Sequence, residues 1–495
     1  MDDRVSASPS PEIFKAYDIR GLYGEQIDGD VAEQIGRAFA RVLARLAGKP
    51  LAELRVALGH DMRLAAPELS RRYAAGLLGE GVDVIDAGLV GSEMLYFLVG
   101  SRGLDGGLMC TASHNPKAYT GAKLVREGAI PLSGDAGIQD VRRTIEDELA
   151  NGVSHESADA TSARGTLEEI DVYEEFRAAA LGFIDPDIVA EPRLGRPLKV
   201  VVDGGNGMAG PMVGPLLERL RLDLITTYWT PDGNFPDHEP NPLLEENRQL
   251  IIEKVKDTGA DLGIAWDGDG DRCFFIDDTG AFVAGDFLTA LLAESLLGKR
   301  RGHAGQEPRS AAASSREAIL YDVRASRAVP DTVTRAGGIP YVNRVGHAFF
   351  KTRMRKEGSL FGGEVSGHYY FRDFYCADSG TIPALLVLEL LSREGRSMSE
   401  LLAPYRERYF ISGEINSELS DRSEIGQLAK IEEIAARFSD ARQSRLDGIS
   451  IDYEDWHFNV RPSNTEPLLR LCLESLVSPA DMARRRDEVL ALIRS

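Results

Sequence analysis

Met109-Cys110-Thr111-Ala112-Ser113-His114-Asn115-Pro116-Lys117-Ala118-Tyr119-Thr120-Gly121-Ala122-Lys123 is the stretch on which the reading of this chain turns. Just upstream, Gly106-Gly107-Leu108-Met109-Cys110 is short, apolar and opened by glycines, which reads as a buried strand end. Thr111 to Pro116 then breaks the pattern with small hydroxyls, an imidazole and an Asn-Pro pair, the chemistry of a turn. Ser113 is thus offered at the end of a strand, beside His114 and upstream of Lys123. A serine hydroxyl is a weak nucleophile until a neighbouring base or cation activates it. The same residues would also suit a polar loop whose Ser and Asn only cap backbone amides. The rest of the chain decides between the two.

Outward from this stretch, strands and helices alternate. Ile13 to Gly21 alternates apolar and polar residues and reads as a strand that delivers Arg20 to a loop. Residues 31 to 46 carry apolar positions at helical spacing, Arg55 to Arg63 is a strand running into a polar loop, Pro67 to Leu78 a helix, and Val82 to Ala87 a strand. The pattern recurs with Leu198 to Asp203, the turn Gly204-Gly205-Asn206-Gly207, a helix from Pro211 to Leu220 and a strand to Tyr228. It recurs again through Ala318 to Arg324, a helix near Arg327 to Ala336 and the strand Ile339 to Asn343. Such repetition predicts three similar α/β domains, mixed sheets with flanking helices. Residues 299 to 316, rich in Arg, Gly, Ala and Ser, read as a flexible insertion in the third. From Tyr409 the order changes to strands and two helices, a smaller α+β domain. The expected domains are 1–160, 161–281, 282–408 and 409–495.

Composition bounds the function. At 495 residues the chain is too long for one core. Its 43% apolar and 27% charged residues are ordinary for a globular protein. A net charge of −21 argues against nucleic acid and anionic membrane as partners, so positive charge for an anionic substrate must be gathered locally. Cys110, Cys273, Cys376 and Cys472 are far apart and read as buried thiols of a reducing compartment. The N-terminal stretch is acidic and lacks the apolar core of a signal peptide, and no uncharged apolar run approaches ~18 residues. The expectation is a cytoplasmic protein.

Asp267-Gly268-Asp269-Gly270-Asp271-Arg272 is the strongest single motif, set between two strands. Three carboxylates at alternate positions with glycines between can curl around one hard divalent cation, Mg²⁺ for preference because it is usually shared with a phosphate oxygen. An EF-hand fails here: its sixth and twelfth positions, Gly and Glu, are Arg272 and Asp278, and the flanks are not helices. Arg272 beside the carboxylates suggests an anionic ligand. Gly362-Gly363-Glu364-Val365-Ser366-Gly367-His368 sets a carboxylate, a hydroxyl and an imidazole at spacing two, group types that grip sugar hydroxyls or move protons. Arg461-Pro462-Ser463-Asn464-Thr465-Glu466-Pro467, between two strands, has the make-up of a phosphate cradle. A capped turn and a plain hairpin loop are the alternatives for these two. His347, ahead of the basic helix Lys351 to Lys356, and Arg324, at a strand end, are further candidates; Asp232 to His238 reads as a structural loop.

Thr111 to Pro116, Asp267 to Arg272, Gly363 to His368 and Arg461 to Thr465 together resemble, in order, the four signature loops of the α-D-phosphohexomutases. The resemblance spans nearly the whole chain. It implies three similar α/β domains and a C-terminal domain like that of the TATA-binding protein, around a central cleft. Within the superfamily the likeness is greatest to the bacterial phosphomannomutase/phosphoglucomutases, whose opening resembles Phe14 to Gly21 and whose central loop resembles Asp232 to Pro236. Phosphoglucosamine mutases usually carry Gln before the Ser of the sugar loop and Gly in the phosphate loop; Val365 and Asn464 stand there.

The resemblance implies an isomerase in which Ser113 is carried as a phosphoserine bound to Mg²⁺ with Asp267, Asp269 and Asp271. Phosphoserine 113 would give its phosphoryl group to a hexose 1- or 6-phosphate, forming a 1,6-bisphosphate that turns around and returns the other phosphate. Arg20, Lys123 and Arg272 would surround the transferring group, His114 would stand beside it, and Lys123 or His368 would move the proton. Glu364 and Ser366 would grip the 3- and 4-hydroxyls that glucose and mannose share. Arg461, Ser463, Asn464 and Thr465 would hold the phosphate that is not reacting, with Arg324 and His347 also on the substrate. Glucose 1,6-bisphosphate or mannose 1,6-bisphosphate is the implied activator, hexose phosphates the implied partners, and the chain a monomer or dimer. Phosphoglucosamine mutase, metal-dependent sugar phosphatase and non-catalytic sugar-phosphate or Ca²⁺ binding are the competing readings.

Overall fold

The computed structural model describes residues 8–151, 164–303, 316–463 and 468–495. The chain divides into two compact units, one running to Ala281 and taking in Asp373–Gly395, the other formed by Phe282–Arg372 and Arg396–Ser495.

The first unit opens on a 3₁₀ turn, Pro11–Ile13, and then β1 (Ile19–Leu22), α1 (Gly29–Ala47), β2 (Arg55–His60), α2 (Ala66–Gly79), β3 (Asp83–Leu89), α3 (Ser92–Ser101), β4 (Gly106–Cys110), β5 (Tyr119–Arg126), β6 (Ile130–Pro131), α4 (Gln139–Ala150) and β7 (Leu167–Glu169). The sheet order is β1-β5-β4-β2-β3-β7, with β6 beside β5. The strands from β4 to β7 run parallel, while β5 returns antiparallel to β4 and β1 antiparallel to β5. This corrects the expectation for residues 13–21. After the tight turn Pro11–Ile13 the chain reverses, with Phe14 bridged antiparallel to Ile19 and the Lys15 amide donating to the Asp18 carbonyl, so the strand itself begins at Ile19 and Arg20 lies inside β1 opposite Gly121 rather than in a loop. Helix α1 starts where Asp28 accepts bonds from the Asp30 and Val31 amides, and buries Ile35, Phe39, Val42 and Leu43 at helical spacing into the core of the sheet.

The same unit continues with α5 (Tyr173–Leu181), α6 (Pro186–Ala190), β8 (Lys199–Asp203), α7 (Ala209–Leu217), β9 (Asp223–Thr227), α8 (Gln249–Thr258), β10 (Leu262–Trp266) and β11 (Cys273–Asp277). Its second sheet has the order β11-β10-β8-β9, parallel except for the β10–β11 hairpin. That hairpin carries Asp267 to Arg272.

In the second unit come α9 (Gly285–His303), β12 (Ala318–Asp322), α10 (Ala328–Arg335), β13 (Ile339–Asn343), α11 (His347–Glu357), β14 (Phe361–Gly363) and β15 (Tyr369–Phe371). Strands β13, β12 and β14 are parallel neighbours, and β15 is antiparallel to β14. Helix α9 continues through Lys299 and Arg300, good helix formers, to His303, which corrects the insertion expected from 299; residues 304–315 of that stretch, like the leader 1–7, lie outside the described residues. The segment β16 (Ala377–Asp378) and α12 (Thr381–Glu394) belongs to the first unit. The chain ends with α13 (Met398–Arg406), β17 (Phe410–Glu418), α14 (Glu424–Arg437), β18 (Arg442–Ser444), β19 (Ile449–Asp452), β20 (Trp456–Pro462), β21 (Leu468–Ser475) and α15 (Pro479–Arg494). The last sheet is wholly antiparallel, β17-β21-β20-β19-β18, and its apolar face is covered by α14 and α15.

Candidate active site

Parallel strands that end together deliver their C-terminal loops to one edge, the usual place for a site in an α/β sheet. Strand β4 ends at Cys110, and Ser113 follows, buried and held at φ +51, a left-handed conformation uncommon for a residue with a side chain. The neighbouring strand β2 supplies what holds it there. Arg63, 2% exposed, donates to the carbonyls of Ser113 (2.8 Å), Asn115 (2.7 Å), Pro116 (3.0 Å) and Tyr119 (3.1 Å). Asp61 lies 3.3 Å from Arg63 Nε and accepts from the Thr111 hydroxyl at 2.6 Å, which in turn accepts from the Ser113 amide at 2.8 Å. The loop is thereby over-determined by its neighbours, the condition under which a strained residue persists.

The Ser113 hydroxyl points at the metal-type loop. It donates to Asp267 Oδ2 at 3.1 Å and lies 3.1 Å from His114 Nδ1. Asp267, Asp269 and Asp271 are all buried, and one oxygen of each lies within 4.8 Å of the others. Lys123 stands opposite Met109 in the β4–β5 register, and its ammonium donates to Asp269 Oδ2 (2.6 Å) and Asp271 Oδ2 (2.5 Å). Burial alone would lower that ammonium, but the two carboxylates outweigh it and hold Lys123 protonated well above its ordinary range. Arg272 Nε donates to Asp267 Oδ2 at 2.8 Å, and Ser92 to Asp269. Burial pushes Asp267 up to about 7, with Arg272 opposing and the other two carboxylates adding to the rise. Arg20 joins the cluster through Asn115 Oδ1 at 2.5 Å and an ion pair with Asp18. The donor set fits a hard divalent cation. Three carboxylates share one pocket, and Asp269 Oδ1 is buried without a hydrogen-bond partner among the described residues.

In the second unit the sugar-type loop follows β14. Glu364 is buried, accepting from the Gly346 amide (2.7 Å) and the Tyr370 hydroxyl (2.5 Å), and burial with Asp322 nearby pushes it up to about 7 against the pull of Arg324. His368 Nδ1 is 3.0 Å from Ser366 Oγ and 3.7 Å from Glu364, and the His347 ring stacks with it at 6.2 Å. Arg324, at the end of β12, pairs with Asp322 at 2.7 Å and reaches Glu414 Oε2 at 3.1 Å. Arg461 at the end of β20 reaches the same oxygen at 3.2 Å, and Arg470 the other at 2.9 Å. Burial would raise Glu414, but these three guanidiniums prevail and hold it at about 2. Ser463 follows the end of β20, its amide donating to the Leu468 carbonyl at 2.9 Å; Asn464 and Thr465 lie outside the described residues.

The described candidates therefore fall into two groups. Ser113, His114, Lys123, Arg20, Asp267, Asp269, Asp271 and Arg272 meet in the first unit; Arg324, His347, Glu364, Ser366, His368, Arg461 and Ser463 belong to the second. Asp61, Arg63 and Glu414 are not among the residues singled out from sequence. The first two had a signal, since Asp61-Met62-Arg63 directly follows a strand, as Ser113 does. Glu414 had only a Ser-Gly pair in a strand pattern, the mark of a bulge.

Models of the phosphoglucomutase/phosphomannomutase family match the chain throughout: alpha/beta/alpha domain I over residues 11–151, domain II over 180–280, domain III over 284–409 and the C-terminal domain over 414–492. The chain belongs to this family. Its activity is that of a phosphohexomutase, an isomerase, and the phosphatase and phosphoglucosamine readings are not favoured. It is 42% identical over 487 residues to a phosphomannomutase of Escherichia coli, covering 97% of this chain and 99% of that one. It is 41% identical over 483 residues to a protein of Xanthomonas campestris pv. campestris named phosphohexose mutases, with coverage of 97% and 99%. The crystal structure of a phosphoglucomutase/phosphomannomutase family protein from Burkholderia thailandensis superposes with a TM-score of 0.81 at 33% identity, over 98% of this chain and 97% of that one.

Proposed function

We propose that this phosphohexomutase interconverts the 1- and 6-phosphates of mannose, glucose or both, with Ser113 as the phosphoryl carrier. One observation carries the proposal: a buried serine hydroxyl is aimed at Asp267, within a cluster of three carboxylates, a lysine and an arginine. The Ser113 Oγ–P bond breaks as a bond forms from phosphorus to the free sugar hydroxyl. The proton of that hydroxyl leaves to His368, and the reverse steps regenerate phosphoserine after the bisphosphate turns around. Asp267, Asp269 and Asp271 would hold Mg²⁺, which supplies charge neutralisation for the transferring group. Lys123, Arg272 and Arg20 line the same group, and His114 fixes the Ser113 side chain. Glu364 and Ser366 take the 3- and 4-hydroxyls. Arg324, His347, Arg461, Ser463, Asn464 and Thr465 take the phosphate that is not reacting. Alignment and charge supply most of the rate in such a transfer.

A cytoplasmic monomer or dimer, activated by glucose 1,6-bisphosphate or mannose 1,6-bisphosphate and organised as domains 1–160, 161–281, 282–408 and 409–495, completes the reading. Nucleic acid and membrane have no part in it; among the described residues no helix is long and apolar enough to cross a membrane. A coupled initial-rate assay with Mg²⁺ and a trace of glucose 1,6-bisphosphate tests it. Mannose 1-phosphate, glucose 1-phosphate or both are turned over, at comparable rates if the enzyme takes both sugars, and glucosamine 1-phosphate poorly. Release of free phosphate in place of isomerisation would overturn it.

A further inference from the structure

Glu414 reaches its place through an irregularity in β17. Ile411 pairs with Glu474 of β21 and Glu414 pairs with Cys472, so three steps on one strand meet two on the other. The extra residue is accommodated at Ser412-Gly413, with Gly413 at φ +69 and the Ser412 hydroxyl accepting from the Leu473 amide. A one-residue shift moves side chains to the opposite face of a sheet, and bulges re-aim them at functional places. In regular pairing Glu414 would stand with Leu471 on the apolar face. The bulge puts it on the face of Arg470 instead.

That face needs an anion. Arg461 and Arg470 are direct partners across β20 and β21, a like-charge pair that repels. Arg461 is 3% exposed, and its Nε finds no hydrogen-bond partner among the described residues. Glu414 Oε2 takes both Arg324 and Arg461, and Oε1 takes Arg470. One carboxylate thus ties an arginine at the end of β12, beside the sugar-type loop, to the arginine of the phosphate-type loop.

The geometry points to Glu414 as a positioning residue that sets the Arg324 and Arg461 guanidiniums at the spacing in which they receive the unreacting phosphate of a hexose phosphate. This rests on the reading of Arg461 as part of the phosphate clamp. The residue touches no substrate; it acts through the two arginines, with the bulge as its mount.

Steady-state kinetics with glucose 1-phosphate and calorimetric titration of inorganic phosphate, on the full chain and on Glu414→Gln and Glu414→Asp, test it. With Glu414→Gln the KM and the Kd for inorganic phosphate rise together by about ten-fold, while kcat stays within about three-fold. Glu414→Asp, which keeps the charge, gives about a three-fold rise in both. A folded Glu414→Gln protein that binds inorganic phosphate as the parent does, or more tightly, overturns the inference. If Glu414→Gln fails to fold, Glu414→Asp decides: an unchanged Kd overturns it and a raised one supports it. A parent protein that isomerises no hexose phosphate sinks the functional reading instead, and the phosphate titration still decides the part played by Glu414.

Discussion

A methyl group built on Gly268 would lie 2.6 Å from the Ser113 carbonyl oxygen. The carboxylate loop and the serine loop are therefore in backbone contact, closer than any side chain allows at that position. The two alternating glycines of the motif do more than permit its curl; one of them admits the backbone of the Ser113 loop. Gly268→Ala separates the loops, and displacements on the scale of an ångström cost about a hundred-fold in rate. The expected result is a folded protein whose kcat falls by about that factor, measured beside Mg²⁺ affinity. An unimpaired kcat would contradict the contact.

Arg63 is the internal scaffold of the Ser113 loop. Arg63→Lys keeps the charge but cannot reach four carbonyls at once, and each buried carbonyl left alone costs about 1–3 kcal/mol. The prediction is faster amide exchange across residues 111–121 and a kcat lower by on the order of ten-fold. Exchange protection equal to the parent's would show that the loop holds itself.

Removal of the divalent cation should silence the enzyme without unfolding it. Excess EDTA abolishes turnover and Mg²⁺ restores it. Asp269→Asn, which takes away a carboxylate whose Oδ1 has no hydrogen-bond partner among the described residues, lowers kcat by on the order of a hundred-fold or more. Full activity in excess EDTA would contradict the assignment of the three aspartates.

A pH-dependent cost resides in the second unit. Burial pushes the Glu474 carboxyl up to about 7, and burial pushes the neighbouring His457 down to about 4. At neutral pH the imidazole is uncharged, so their 3.5 Å contact is no ion pair. A carboxyl with a raised folded pKa favours the fold at low pH. That stability is lost as pH climbs from the unfolded value near 4.5 through about 7. Glu474→Gln should therefore melt higher than the parent at pH 8, by roughly 2 °C or more, with a smaller gain at pH 5. A gain independent of pH would rule out titration as its cause.

Much of this was legible in the residues. Asp267 to Arg272 could be placed because alternating Asp and Gly between two strands has few other uses, and the strand–helix alternation gave the three sheets. What escaped was long-range. Lys123 meets Asp269 and Asp271 only through the β4–β5 register, and no spacing in the chain announces that meeting. Arg63 acts on carbonyls some fifty residues away, so its partners have no side-chain signature. Glu414 depends on a single-residue shift in strand pairing, which an alternating pattern cannot register. The strand expected over 13–21 failed for a local reason, a reversal that folds Phe14 back onto Ile19.

The phosphoserine carrier is tested most directly by the intact mass of the protein after incubation with glucose 1,6-bisphosphate and Mg²⁺. The expected result is a gain of one phosphoryl group, mapped by peptide fragmentation to Ser113, absent from Ser113→Ala, and discharged when glucose 6-phosphate is added. A protein that gains no phosphate, gains it at another residue, or loses it as inorganic phosphate would contradict the phosphoserine carrier.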